Sequence, residues 1–327
     1  MLQWSTDSLN MFFTGLFILC LIIGILTLFS MLTMNQQFYT NIVSYVTVIL
    51  ASGSWFVMGG LTVMSIMFFV TGNYFFGIGM FFNAVLIFMV NWVNPPKIFG
   101  EQNNILTIST VNVLNENKSK GLHIGRELLE ADPDIVFIQE YTPEIGAGME
   151  PFLDRYAYCS IAEKGEDEIP DLAIYSKFPL LNSRTIYSNN RPALVSEIEY
   201  EKQFVTLVNI HTVSPTNPSR TIRWFDELEG HITMLRSNNP MIVAGDFNAS
   251  VSHAPFRRLL KEANLSDFTS LLTTWGYKKS LPELLHLDHI LGTRDFRLLE
   301  KPVKSTGEDS DHCPVTVKVS IITESRY

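Results

Sequence analysis

The sequence predicts an α/β protein: two packed mixed sheets with helices on their outer faces, preceded by an all-α transmembrane segment of about three helices. Three observations carry this. Positions 1–96 hold one charged side chain, Asp7, while all 24 Lys and Arg and the remaining 32 of 33 acids lie from Lys97 onward. Beyond Lys97, short apolar runs of strand length recur, and several alternate apolar with polar residues, as in "VTVKVSI". That alternation suits sheets with one face on a core. Helix-period patterns fall between some of these runs.

The N-terminal material divides into expected spans at about 10–32, 41–70 and 74–94. A span needs roughly 20 apolar residues to cross about 30 Å of hydrocarbon. The breaks are "TMNQQFYT" and "TGN", and Trp4, Tyr39, Tyr45, Tyr74 and Trp92 lie near the ends, where amphipathic rings favour the interface. A cleaved signal would carry an early cation and one short apolar core; neither is present. A soluble helical domain would need a polar face, which an uncharged run of this length lacks. The expected location is therefore an integral, multi-pass membrane protein, in a bacterial inner membrane, with the bilayer as its partner and no obligate protein partner evident. The lone Lys97 near the spans does not fix the side on which the C-terminal domain lies. Cys20 falls inside a span, and the spacing of Cys159 and Cys313 suggests neither a disulfide framework nor a zinc site.

The expected boundary is 1–96 for the membrane domain and 97–327 for the globular one, with "NWVNPPKIFG" as linker, because paired prolines cannot continue a helix. The globular part has a formal net charge of 24 minus 32, or −8. This argues against binding nucleic acid through a bulk positive field. In chain order, strands are expected at Ile105 to Val113, Asp134 to Gln139, Asp171 to Tyr175, Ala193 to Tyr200, Phe204 to His211, Pro240 to Gly245, His286 to Leu291 and Pro314 to Ile321. Helices are expected at Leu122 to Glu130, Thr221 to Arg236 and Ala254 to Glu262, the last with Ser250 or Ser252 as N-cap.

Several of these runs end in polar residues. Asn112 closes "TISTVN", Glu140 closes "DIVFIQE", and His211 closes "FVTLVNIH". Asp246 and Asn248 follow "MIVAG", two positions apart and thus on one face of an extended chain. Asp288 lies in "LLHLDHIL", and Asp311 and His312 precede the last strand. Singly, each has an ordinary reading as a turn, a solvated strand end or a surface histidine. Jointly they form a set of carboxylates, amides and imidazoles at the ends of buried elements. Such a set suits one pocket with a hard divalent cation, Mg²⁺ or Mn²⁺, rather than structural zinc.

The stretches "TVNV", "DIVFIQE", "VNIHT", "VAGDFN", "LDHIL" and "SDHCPV", in this order, resemble the endonuclease/exonuclease/phosphatase superfamily. Its members include pancreatic-type deoxyribonucleases, apurinic endonucleases, inositol polyphosphate phosphatases and neutral sphingomyelinases. The resemblance runs from about Asn104 to Ile322, roughly two thirds of the chain. Three spans before the domain, with "NNRPALVSEI" and "TTW", look like a bacterial membrane-bound branch. The resemblance implies a four-layer α/β sandwich and metal-dependent hydrolysis of a phosphoester by an activated water. It implies Glu140, Asn112 and Asp311 at the metal, Asp246 at the attacking water, Asn248 and Arg191 at phosphate, and His211 at phosphate or leaving group. It also implies His312 as general acid/base, held by Asp288. Glu163 is a further expected partner for His211. The implied substrate is a phosphoester on a lipid headgroup, nucleotide or nucleic acid. A tethered nuclease and a catalytically silent phospholigand- or protein-binding module are the competing readings. Apurinic endonucleases place an aspartate two residues after the first-strand asparagine; here that position is Leu114, which weakens an abasic-site reading.

Overall fold

The computed structural model describes residues 6–33, 41–91, 96–100, 104–162, 172–188, 191–235, 239–270, 272–276 and 283–322. It divides into two compact units. One comprises Met1–Val93 with Pro215–Ile222 and Val251–Arg257; the other holds the remainder.

The first unit is helical: α1 (Thr6–Thr33), α2 (Asn41–Ser52), α3 (Ser54–Val70) and α4 (Tyr74–Asn91). Thr14–Leu32 and Tyr74–Asn91 are long and apolar enough to cross a membrane. The expected single span at 41–70 is instead two helices that meet at 62° around Gly53. Ser52, Gly53 and Ser54 at the joint are weak helix formers. Counted as one broken span, the pair brings the number to three. Apolar side chains such as Ile25, Val63, Phe75 and Phe82 face outward, whereas small and polar groups turn inward. Ser65 donates to the Gly77 carbonyl at 2.8 Å, and Ser54 and Asn91 hydrogen-bond each other. Inward polar groups and outward apolar ones are the polarity that a hydrocarbon surround selects.

The second unit is a sandwich of two mixed sheets. One sheet has the order β11 (Phe296–Leu298), β13 (Val315–Ile321), β1 (Leu106–Asn112), β2 (Ile135–Gln139), β4 (Leu172–Ser176), β3 (Tyr158–Ile161), with β12 (Val303–Lys304) paired to β13. The other has β5 (Leu181–Ser188), β6 (Arg191–Tyr200), β7 (Gln203–His211), β8 (Met241–Asp246), β10 (Asp288–Thr293), β9 (Leu265–Asp267). Helices α5 (Leu122–Ala131) and α6 (Pro143–Leu153), with α7 (Pro218–Met234) from Arg223 on and α8 (Ala254–Glu262) from Arg258 on, complete it. The parallel pairs β1/β2 and β7/β8 form the centres of the two sheets.

Residue parity explains how the site forms. Along β2, Ile135 and Phe137 enter the core between the sheets, while Val136 and Ile138 pack with Ile124, Leu128, Ile145 and Met149 of α5 and α6. In β1, Leu106 and Ile108 face the other sheet, so Thr110 and Asn112 do too. The same parity carries Val205 and Leu207 to Asn209 and His211, Ile242 and Ala244 to Asp246, and Ile290 back to Asp288. Each strand is apolar along the core and changes character at its end, on the inter-sheet face.

All eight expected strands are present within a few residues, although Asp171 lies outside the described residues. Five strands and α6 were not expected. β5 is exposed along much of its length, and β3 is an exposed edge, so neither needs the apolar run that marks a strand. Gly146, Gly148 and Pro151 disguise α6, yet Pro143 opens it and the Thr142 side chain caps Ile145 N.

Between the sheets, Asn209 donates to the carbonyls of Ile138 and Ala173, both at 2.9 Å, and accepts from Gln139 Nε2 at 2.7 Å. Asn209→Ala removes these bonds and leaves a void in a fully buried position. The expected cost is about 2–4 kcal/mol, read by denaturant unfolding of the full chain in detergent; a change below about 1 kcal/mol would show that the bridge is dispensable.

Candidate active site

The expected polar residues converge where β1, β2, β7, β8 and β10 end or begin. The register pairs His211 with Asp246 across the parallel β7/β8 ladder and Asp288 with Asp246 across β8/β10. Asn112, opposite Gln139 in the other sheet, reaches across with Nδ2 to Asp246 Oδ2 at 3.1 Å and to Glu140 Oε1 at 3.2 Å. The Asn112 oxygen is turned away, accepting from Leu114 N at 3.0 Å. In this arrangement Asn112 positions the two carboxylates through its NH₂ group.

Glu140 has φ 56° and Asn248 φ 46°. This left-handed region is unfavourable for a glutamate, and strain of this kind persists where surroundings over-determine it. Here Asn115 N holds Glu140 Oε2 at 2.9 Å. Before Asp246 stands Gly245, with φ 142°; a Cβ there would lie 1.9 Å from the Ile210 carbonyl, so only glycine fits. Asp246 Oδ1 accepts from Asn248 N at 2.8 Å, and Asn248 Nδ2 is shared between the Thr212 carbonyl at 2.9 Å and Asp246 Oδ2 at 3.3 Å. The expected Asp246–Asn248 pair is thus a closed turn that fixes both side chains.

His312 Nδ1 lies 2.8 Å from Asp288 Oδ2, which can only accept, so Nδ1 carries a proton and Nε2 is the end turned toward Asp246. That Nε2 lies 3.6 Å from Asp246 Oδ2, as His211 Nε2 does at 3.8 Å. Asp246, Asp288 and His312 each present a donor atom within 4.8 Å of the others, and all three are buried. Burial alone lowers the basicity of His312. The charges of Asp288, Asp246 and Asp311 outweigh it and push its pKa up to about 10.

Three supporting residues escaped the sequence reading. Thr274 Oγ1 accepts from the backbone N of Asp288 and Leu287, both at 3.1 Å. Trp275 donates its indole N–H to Asp311 Oδ2 at 2.8 Å. Ser310 donates to the Asn112 carbonyl at 2.8 Å and accepts from His312 N at 3.1 Å. "TTW" and "SDH" contained them, but nothing in their spacing shows that the segments touch. Arg191 stands apart from these contacts. The Ala193–Ile210 pairing places it at the same end of the sheet as His211, and its charge acts on Glu227 and His231. Glu163 lies outside the described residues.

A sandwich that gathers carboxylates, amides and a carboxylate-held histidine at opposed strand ends defines a metal-dependent phosphoester hydrolase. The comparisons make this specific. The family model described as "Endonuclease/Exonuclease/phosphatase family" matches residues 109–312, and the chain belongs to that family. Solved structures with the same fold include TDP2 of D. rerio humanized by 14 mutations (17% identity, TM-score 0.56, covering 66% of this chain and 99% of that one). A functionally unknown conserved protein from Enterococcus faecalis V583 (18%, 0.56, 66% and 100%) and an endonuclease/exonuclease/phosphatase from Bacteroides vulgatus (13%, 0.56, 67% and 100%) are similar too. No curated protein sequence matches the chain.

The His312 pairing has a definite pH sign. Its folded pKa is raised above about 6.5, so the stability it supplies is fully present below that value and is lost as pH rises through about 10. By ¹⁵N-imidazole NMR in EDTA, His312 is expected to stay cationic at about pH 8 in the wild type and to titrate well below that in Asp288→Asn. Identical titrations would show that Asp288 does not control the ring.

Proposed function

We propose that the chain is a membrane-anchored, Mg²⁺-dependent hydrolase of a phosphodiester or phosphomonoester presented at a bilayer. The observation that carries the reading is the contact set joining Glu140, Asn112, Asp246, Asp288 and His312 across the two sheets. Apolar helices ahead of the domain, Thr14–Leu32 and Tyr74–Asn91 among them, supply the anchor, in keeping with the bacterial membrane-bound branch that the motifs resemble.

The donor set fits a hard cation. Asp246, Asp288 and Asp311 surround His312, Asn112 links Glu140 to Asp246, and among the described residues none of these carboxylates has a Lys or Arg ion pair. Glu140 and Asp311 would hold the ion, with Asn112 orienting Glu140. Bound there, a divalent cation neutralises phosphate charge and lowers the pKa of water.

The other residues supply positioning and proton transfer. Asp246 orients the attacking water and accepts its proton. Asn248, neutral and therefore not repelled by phosphate, would turn Nδ2 from Asp246 Oδ2, its longer contact at 3.3 Å, to a phosphate oxygen, and Arg191 at the neighbouring strand end would add positive charge near the same group. His211 donates to the phosphate or the leaving oxygen. His312 gives the leaving oxygen a proton from Nε2, with Asp288 holding the tautomer, as general acids of this kind require.

A nuclease is the second reading. One structure of similar fold is D. rerio TDP2 complexed with a single strand DNA product. Against it stands the acidic domain, net −8 by composition, without a basic, aromatic-laced stretch.

The full chain in detergent, assayed on phosphoinositides, sphingomyelin, an aryl phosphodiester, plasmid DNA and RNA, separates these readings. Lipid-headgroup turnover that needs Mg²⁺ and falls about 10²–10⁴-fold in His312→Ala and Glu140→Gln is the expected result. Turnover of nucleic acid alone would favour the nuclease. Mg²⁺ binding without turnover of any substrate would favour a phospholigand-binding module.

A further inference from the structure

A second cluster of titratable side chains lies on the opposite face of β10 from Asp288. Asp267 ends β9, His289 is the second residue of β10, and His286 lies just before that strand. The β9/β10 register pairs Asp267 with Leu291, which shares the face of His289. One donor atom from each of Asp267, His286 and His289 lies within 4.8 Å of the other two. Asp267 and His289 are buried and His286 is half-buried. None of the three has a part in the reaction proposed above.

The hydrogen bonds of His289 pose a problem in proton placement. Its Nε2 is 2.9 Å from the Ala249 carbonyl, and its Nδ1 is 2.9 Å from Asp267 Oδ2. Both partners only accept, and a neutral imidazole has one N–H. Two arrangements satisfy both contacts. One is an imidazolium. The other is a neutral ring that donates through Nε2 and offers the Nδ1 lone pair to a cation shared with Asp267. Asp267 Oδ1 is already held by Thr269 N at 2.9 Å and Thr269 Oγ1 at 2.7 Å, which fixes the carboxylate. His286 lies with its ring centroid 4.0 Å from that of His289. Its Nε2 lies 3.3 Å from Thr269 Oγ1.

We propose that Asp267, His286 and His289 form a second metal site, for Zn²⁺, whose work is structural. Two imidazoles and one carboxylate suit a borderline cation, in contrast to the carboxylate-rich catalytic cluster. The Ala249 carbonyl on Nε2 of His289 is the outer partner that orients a ligating histidine and fixes its tautomer. The ion ties together three segments: the turn that carries Asp246 and Asn248, the end of β9, and the strand start that presents Asp288. It sets the backbone behind the catalytic residues without touching substrate.

Metal retention tests this independently of any reaction. The full chain in detergent, loaded with Zn²⁺ and passed through gel filtration, is read by elemental analysis in a Glu140→Gln background, which disables the catalytic site. The expected result is about one equivalent of Zn²⁺ retained in Glu140→Gln and lost in Glu140→Gln/His286→Gln. Retention of no zinc in Glu140→Gln, or equal retention in both, would overturn the proposal and leave a buried imidazolium–carboxylate pair. Should His286→Gln misfold, His286→Cys keeps a ligand at that position. Loaded with Co²⁺, the Glu140→Gln/His286→Cys protein is expected to gain a thiolate-to-cobalt charge-transfer band. A folded protein without that band would equally defeat the site.

Discussion

One side chain, Asn209, sets how the two sheets meet near their functional ends. Its amide spans the apolar core to two carbonyls of the opposite sheet and receives Gln139 in return. Apolar packing alone tolerates sliding, because it has no direction. A buried, fully satisfied polar set does not, since each displaced bond would leave an unpaired group in a low-dielectric interior. Register between the sheets is thereby fixed two residues before His211 and one before Glu140. The contact from Asn112 to Asp246 depends on that register, and the candidate site is a cross-sheet object before it is a chemical one.

Its chemistry follows from a surplus of negative charge. Asp246, Asp288 and Asp311 crowd one imidazole and hold its proton far more tightly than water would. A divalent cation held there would redress the same imbalance, and proton affinity at His312 and metal affinity nearby would then oppose each other. The left-handed backbone at Glu140 and the glycine-only approach just before Asp246 fix where these two carboxylates stand.

Much of this was legible in the sequence because apolar runs and their polar ends obey strand parity. "LTISTVN", "IVFIQ" and "MIVAGD" each announce a buried strand and the side chain it delivers. What stayed hidden had no periodic signature. β5 meets solvent and so carries polar residues, α6 is written with glycine and proline, and Gly53 breaks a helix that hydropathy alone runs together. Asn209 and Gln139 look like ordinary polar positions in strands, and only pairing across sheets reveals their task. Trp275 and Ser310 reach the site through segments whose meeting is set by tertiary contacts. The second histidine cluster was equally silent, since "HLDH" offers its histidines to one face and its aspartate to the other.

The indole of Trp275 also has an optical consequence. Its N–H is bonded to Asp311, while the buried Trp224 is bonded to the Phe247 carbonyl. The emission of an indole responds to charge at its nitrogen. Capture of an ion by Asp311 would change the field at Trp275 and leave Trp224 in its fixed surroundings. Trp275 would then report an ion at Asp311, with Trp224 as a reference of the same chromophore and Trp4, Trp55 and Trp92 as background.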